Sequence, residues 1–295
     1  MELATIARDG VFSSADARTL GLGTRQLRNL ARDGGCAFLT RGWWAVDEPP
    51  DPLTRHRLTA TALRRHFAGT AWVSHYSALV LKDLPVAGAD LGRVHLTRLE
   101  DRQSRRQPCF TLNPAVEVGT DDESRLSMAI VQAGACTDGV AALCAADAAL
   151  GRRLVTLESI AVATAVTAQH PGTASTRALL RHVDGRHESP GETRTSLLLR
   201  HLGLSATPQV EIRAGDVRYR VDFLLDGAPV VIEFDGRVKY GSGEDVFAEK
   251  VREDRLRSAG YEVVRLTWAD LSRPERVAAL VAAAIVRSRR ASRAR

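Results

Sequence analysis

The sequence predicts an α/β protein of the segregated α+β kind, with an N-terminal helix-turn-helix and hairpin, a mainly helical middle and a C-terminal α-β-β-β-α-β unit. Three observations carry this. Residues 219–236 hold two β-branched and aromatic runs, Tyr219-Arg220-Val221-Asp222-Phe223-Leu224-Leu225 and Val230-Val231-Ile232-Glu233-Phe234-Asp235-Gly236, around the turn dipeptide Asp226-Gly227, a hairpin signal. Residues 3–46 hold three short helical segments with tight turns, then a short apolar hairpin pattern. Between residues 51 and 187 the chain is Ala-rich and its large apolar residues fall at helical spacing. The expected divisions are 1–48, 49–187, 188–286 and a basic tail at 287–295; a chain of 295 residues, 44% hydrophobic, is long enough for two cores or so.

In the first part, residues 3–8 read as a short helix, Ser13-Ser14-Ala15-Asp16 opens a second that ends at Gly21, and Thr24 opens a third. On the third, Leu27, Leu30 and Ala31 face inward, while Arg25, Arg28, Asn29 and Arg32 follow the i, i+3, i+4, i+7 spacing of one outward face. Residues 36–46 form the wing of a winged helix, with Arg41 at its turn. Charges on a helix are ordinarily a solvated face, so the expectation of DNA in the major groove rests on their combination with the wing. This segment resembles the N-terminal winged helix of AbiEi-type antitoxins, whose Arg-Gly-x-Tyr block stands here as Arg41-Gly42-Trp43-Trp44, with Trp replacing Tyr. The resemblance implies DNA binding and, if the chain is antitoxin-like, a toxin partner.

The middle has apolar spacing at Leu53, Leu58, Leu63 and Phe67, and again at Val155, Ile160, Ala163 and Val166. Two strands interrupt it, near residues 93–97 and 109–118, and Arg98, Arg102, Arg105 and Arg106 between them read as a basic loop. His75 stands alone on an apolar helical segment and reads as a packed core residue. Cys36, Cys109, Cys136 and Cys144 have no Cys-x-x-Cys spacing and no His cluster beside them, so they read as buried small hydrophobes in a reducing compartment, without structural zinc.

In the last part, Ser189-Pro190-Gly191-Glu192 opens a helix that ends at Gly203; Ser-x-x-Glu with Pro at the first helical position is a capping box. If the hairpin loop holds an even number of residues, the two-residue side-chain period puts Asp222, Glu233 and Asp235 on one face and Phe223, Ile232 and Phe234 on the other. Three carboxylates sharing a surface amid apolar strands are costly unless a cation neutralises them. Mg²⁺ (or Mn²⁺) is the natural counter-charge, because hard divalent ions take oxygen ligands and are commonly held by one or two carboxylates plus phosphate oxygens. Lys239-Tyr240, a helix over 249–257 ending at Gly260, and a strand over 261–267 complete the order.

Together these blocks, Ser-Pro-x-Glu, Val-Asp-Phe, Ile-Glu-Phe-Asp-Gly-x-x-Lys-Tyr and Arg-Glu-Asp-x-Leu-Arg, resemble a bacterial family of the PD-(D/E)XK nuclease superfamily, similar to very-short-patch repair endonucleases, over residues 189–271. The resemblance implies a restriction-endonuclease-like fold with Asp222 and Glu233 as metal-binding acids. It also implies a lysine two residues after the acid, where this chain has Asp235; Lys239 or Lys250 would then have to reach the phosphate. The expected catalytic residues are Glu192, Asp222, Glu233, Asp235, Lys239 and Lys250, with metal on Asp222, Glu233 and Asp235. The expected function is a metal-dependent DNA endonuclease targeted by the N-terminal part; the alternative is a DNA-binding transcriptional regulator or antitoxin with an inactive nuclease-like domain.

A formal charge of +6 and a pI of about 9.5 favour an anionic partner. No apolar run approaches the roughly 20 residues that span a bilayer, and the N-terminus lacks a basic-then-apolar leader, so a cytoplasmic protein is expected, compatible with a homodimer. The run 287–295, with five arginines and no acid, reads as a disordered tail attracted to phosphate.

Overall fold

Helix-end signals written in the sequence set the first elements. The computed structural model describes residues 3–170, 172–236 and 243–293, with 243–249 and 291–293 described by backbone alone. It is a mixed α+β structure that divides into two units, Met1–Val183 and Asp184–Arg295. The first opens with a 3-10 turn, Leu3–Thr5, shorter than the expected helix, because Arg8 already bridges Val11. Strand β1 (Val11–Ser13), helices α1 (Ser14–Arg18) and α2 (Thr24–Arg32), and strands β2 (Ala37–Thr40) and β3 (Trp43–Ala45) follow. Ser13 caps α1 in a capping box with Asp16. Gly23, one residue before Thr24, is the N-cap of α2, and the Gln26 side chain returns to its N–H at 2.7 Å. Leu27 is buried with Leu3, Phe12, Ala17, Leu22, Cys36 and Trp44, Leu30 and Ala31 pack against them, and the three strands pair antiparallel in the order β1-β3-β2.

Helix α3 (Pro52–His66) starts at Asp51, whose carboxylate accepts the Thr54 N–H at 2.9 Å. Its Ala62 and Leu58 join a core with Val11, Ala37, Leu39, Trp43 and Ala45, so α3 packs against the small sheet. Strands β4 (Ala71–Val73), β5 (Val94–Arg98), β6 (Arg105–Arg106) and β7 (Phe110–Asn113), with α4 (His75–Leu81) after β4, form a sheet ordered β4-β5-β7-β6. The expected basic loop is therefore partly strand: Arg98 lies on β5 and pairs with Asp101, and Arg105 and Arg106 are β6. Helices α5 (Asp122–Cys136), α6 (Gly139–Gly151), α7 (Leu157–Val166) and α8 (Ala174–Leu180) complete this unit. Of the cysteines, Cys36 and Cys144 are buried as expected, but Cys109 is half-buried and Cys136 exposed.

The second unit runs α9 (Pro190–His201), β8 (Ala206–Ala214), β9 (Val217–Leu225), β10 (Val230–Phe234), α10 (Gly243–Ser258), β11 (Glu262–Leu266), α11 (Trp268–Leu271) and α12 (Pro274–Arg293). Its sheet order is β11-β10-β9-β8; β10 and β11 are parallel, which the α10 crossover allows, and the other pairs are antiparallel. Phe223, Ile232 and Leu266 pack with Leu198, Leu199, Val277 and Val281 of α9 and α12, whereas Val221, Val231 and Val263 pack with Leu256 of α10. The arginine run expected to be disordered is instead the last turns of α12 as far as Arg293: Ser288 is buried and Arg287 donates to Glu262 at 2.8 Å. No helix among the described residues is long and apolar enough to cross a membrane.

Helix α9 reaches β10 through Gly191, where a Cβ would overlap the Phe234 ring. Replacing a helical Gly by Ala ordinarily gains about 1 kcal/mol. Here Gly191→Ala is expected to lose about 1–3 kcal/mol from overpacking, read by urea denaturation; a variant as stable as the parent would show that α9 and β10 are not so closely docked.

Candidate functional site

The β9–β10 register fixes the centre of the site. Leu224 faces Val231 and Phe223 faces Ile232 across a four-residue loop, so one step farther along the ladder Asp222 lies beside Glu233 with its side chain on the same face. Phe223 and Ile232 turn into the opposite core, and Phe234 turns with them to meet Trp268 with ring centroids 4.8 Å apart. Asp222 Oδ2 accepts the Phe234 N–H at 2.8 Å. Asp235, beyond the end of β10, donates its N–H to the Leu266 carbonyl at 2.8 Å, which carries it alongside β11.

Glu192 is buried on the first turn of α9. Its Oε1 accepts from Ser189 Oγ at 2.8 Å, and its Oε2 accepts from the Glu188 N–H and from Gln209 Nε2, each at 2.9 Å. It is a helix-end partner, and it also acts on Asp222: burial pushes the Asp222 carboxyl above the usual range, the charges of Glu192 and Glu188 add to this, and the Phe234 N–H and the Arg252 charge oppose it.

Two residues that the sequence reading did not single out complete the site. Gln209 has φ 54° inside the edge strand β8, a left-handed conformation that interrupts the ladder between the Pro208–Phe223 and Val210–Val221 pairs and aims its amide at Glu192. Pro208 was the available signal, since Pro in a strand marks an edge or an irregularity. Arg252 of α10 lies 2.7 Å from Glu233 Oε1, donates to the Arg220 carbonyl at 2.8 Å, and holds its guanidinium 5.9 Å from the Tyr219 ring. Its signal was the Arg-Glu-Asp block. Lys250 is exposed on α10 and, two residues from Arg252, does not share the face turned to Glu233. The cation beside the acid is thus Arg252 where the sequence suggested Lys250; Lys239 lies outside the described residues.

Chemically the site is an oxygen cluster with surplus negative charge. Arg252 balances Glu233, and Arg220 balances Glu188 at 2.8 Å, while Glu192 and Asp222 receive hydrogen bonds from neutral donors only, among the described residues. That donor set fits a hard divalent ion, which would be held by Asp222 and Glu233, with Asp235 next along the chain.

In the first unit, Arg25, Arg28, Asn29 and Arg32 are all exposed on α2, and Arg41 is exposed at the β2–β3 turn, where Gly42 takes φ 80°. None of these arginines forms an ion pair with another described residue. The face is an uncompensated cationic strip, with the exposed Phe38 ring on β2 of the same small sheet.

The raised Asp222 value has a sign that can be tested. A carboxyl whose folded value exceeds its unfolded one favours folding at low pH, and that contribution is lost as pH rises through the folded value. Asp222→Asn keeps an acceptor for the Phe234 N–H and removes the charge, so without divalent metal it is expected to raise the melting temperature at pH 7, with the gain shrinking toward about pH 4, the ordinary Asp range; no gain at pH 7 would contradict the crowding. Compared with protein-family models, curated proteins and solved structures, the chain matches none, so the site stands on its own residues.

Proposed function

We propose that the protein is a Mg²⁺- or Mn²⁺-dependent endonuclease that hydrolyses DNA phosphodiester bonds and is brought to duplex DNA by its N-terminal helix-turn-helix. The observation that carries this is the pairing of Asp222 and Glu233 on one face of the β9–β10 ladder, with Glu192 brought to Asp222 by α9. The α-β-β-β-α-β order with β10 and β11 parallel supports a restriction-endonuclease-like reading of this unit. A bound divalent ion supplies Lewis acidity toward a phosphoryl oxygen and lowers the pKa of its water. The chain supplies the rest: the Phe234 N–H fixes one Asp222 oxygen, Ser189 and Gln209 fix Glu192, and Arg252 offers a fork of donors of the kind that matches phosphate geometry.

A second reading draws on the Arg252–Glu233 ion pair and on Asp235 in the position where the resembling nucleases carry lysine. Here the nuclease-like unit is an inactive scaffold, and the protein is a DNA-binding regulator or, in the antitoxin-like case, the partner of a toxin.

Plasmid nicking in Mg²⁺, Mn²⁺ and EDTA separates the two readings. The endonuclease cuts with metal and not in EDTA, and Asp222→Asn and Glu233→Gln each abolish cutting while remaining folded. A wild type that cuts no DNA form and whose melting temperature no divalent ion raises, yet which binds duplex tightly, is the regulator.

The targeting surface is tested separately. Replacing Arg25, Arg28 and Arg32 by Ala is expected to weaken duplex binding and to flatten its log–log salt dependence by about 0.9 for each phosphate that is no longer neutralised. An unchanged slope would place the DNA elsewhere.

A further inference from the structure

The first unit contains a second polar cluster of different chemistry. His75 opens α4, His95 lies on β5 and Cys136 ends α5, and one ligating atom from each lies within 4.8 Å of the others. We infer that His75, His95 and Cys136 form a binding site for a borderline-soft transition-metal ion of the Zn²⁺ class, with its fourth position open to solvent or to a small ligand.

The surroundings are organised around these side chains. His75 is buried and takes φ 52°, a left-handed conformation costly for a residue with a Cβ, and such outliers persist where the structure holds a side chain in place for a purpose. Ser74 is the N-cap of α4, yet its hydroxyl makes no cap bond. Instead Ser74 Oγ meets His75 Nδ1 at 2.9 Å and accepts from Thr97 Oγ1 at 2.8 Å. With Nδ1 engaged by Ser74, His75 Nε2 is the nitrogen left to ligate, and the serine fixes the ring as an outer partner fixes a metal-bound histidine. The His95 ring lies 4.7 Å from that of His75 and 5.0 Å from that of Tyr76, and Asn113 Nδ2 approaches its Nδ1 at 3.3 Å while donating to the Leu96 carbonyl at 2.9 Å.

The donors select the ion. Two imidazoles and a thiolate suit Zn²⁺, Co²⁺ and their neighbours, and not Mg²⁺, which takes oxygen. Tetrahedral zinc needs ligating atoms about 3.3–3.6 Å apart, so the three side chains have to draw together by about an ångström as the ion binds. Binding forms two metal–nitrogen bonds and one metal–sulfur bond and releases the Cys136 thiol proton to solvent. Cys136 is an exposed residue at the end of α5.

The test uses the full chain, stripped with EDTA, dialysed, and titrated with Co²⁺ as the probe. In excess Mg²⁺, which occupies the acid face, one Co²⁺ per chain is expected, with a thiolate-to-cobalt charge-transfer band that Zn²⁺ removes. Cys136→Ser, at an exposed position, should keep the metal-free melting temperature and lose the band. His95→Gln should weaken Co²⁺ at least tenfold, and Ser74→Ala about 10–100-fold, the usual cost of losing an outer partner. Cys109→Ser should change nothing. No stoichiometric uptake, a band that survives Cys136→Ser, or affinity indifferent to His95→Gln would each overturn the site.

Discussion

Two carboxylates that must share one face of a half-buried ladder are the constraint on which the second unit depends. Slipping β10 by one residue would send Asp222 and Glu233 out of register and turn Phe234 and Ile232 toward the acid face, so the apolar residues and the acids are placed by the same pairing. Burial is the first cost to Asp222, and the charges of Glu192 and Glu188 add to it. A hydrogen bond to a charged group returns about 1.5–3 kcal/mol. The Phe234 N–H opposes these costs without cancelling them, and Asp222 is left with its pKa raised, chiefly by burial. Arg252 pairs with Glu233, and its charge draws the Asp222 value only part of the way back.

The Ser189-Pro190-Gly191-Glu192 run shows how tightly the supporting elements are tied to that face. Ser189 caps the helix, Pro190 occupies the first helical position where its missing N–H costs nothing, Gly191 makes room for Phe234, and Glu192 joins the cap to Gln209 and Asp222. Each has a separate physical reason, and only the first two belong to helix formation. The left-handed kink at Gln209 belongs with them, because it exists on an edge strand where breaking the ladder costs little and it brings an amide to the buried carboxylate.

What could be read in the sequence was what is local. The alternation over 219–235 sorted acids from core residues, because strand side chains alternate wherever the strand lies. The capping boxes and the outward face of α2 followed for the same reason. Arg252 did not follow, since its role depends on where α10 lands after a crossover, and composition could not show that the arginine-rich end remains helical, which Ser288 and the Arg287–Glu262 pair bring about. Strands β4 and β6, three and two residues long, are too short for a period to show. His75 looked solitary because its companions His95 and Cys136 arrive from β5 and α5; the cysteine spacing rules see only neighbours along the chain.

Whether the acid face belongs to an enzyme or to a scaffold turns on the difference between a fixed guanidinium and a divalent ion. Arg252 does not give up its proton and carries a single charge, so it neutralises Glu233 without satisfying Asp222. An ion of twice that charge shared by both carboxylates offsets both, and at equal distance each carboxylate gains twice the attraction. Asp222 and Glu233 would hold such an ion, and Arg252 would offer beside them a fork of donors of the kind that matches phosphate. The ion pair that favours the scaffold reading is thus compatible with the endonuclease as well, and the two readings part on whether a divalent ion binds and on what replaces the lysine at Asp235. The imidazole–thiolate cluster of the first unit does not compete for that ion, because its nitrogen and sulfur donors prefer the ions that the oxygen face holds least selectively.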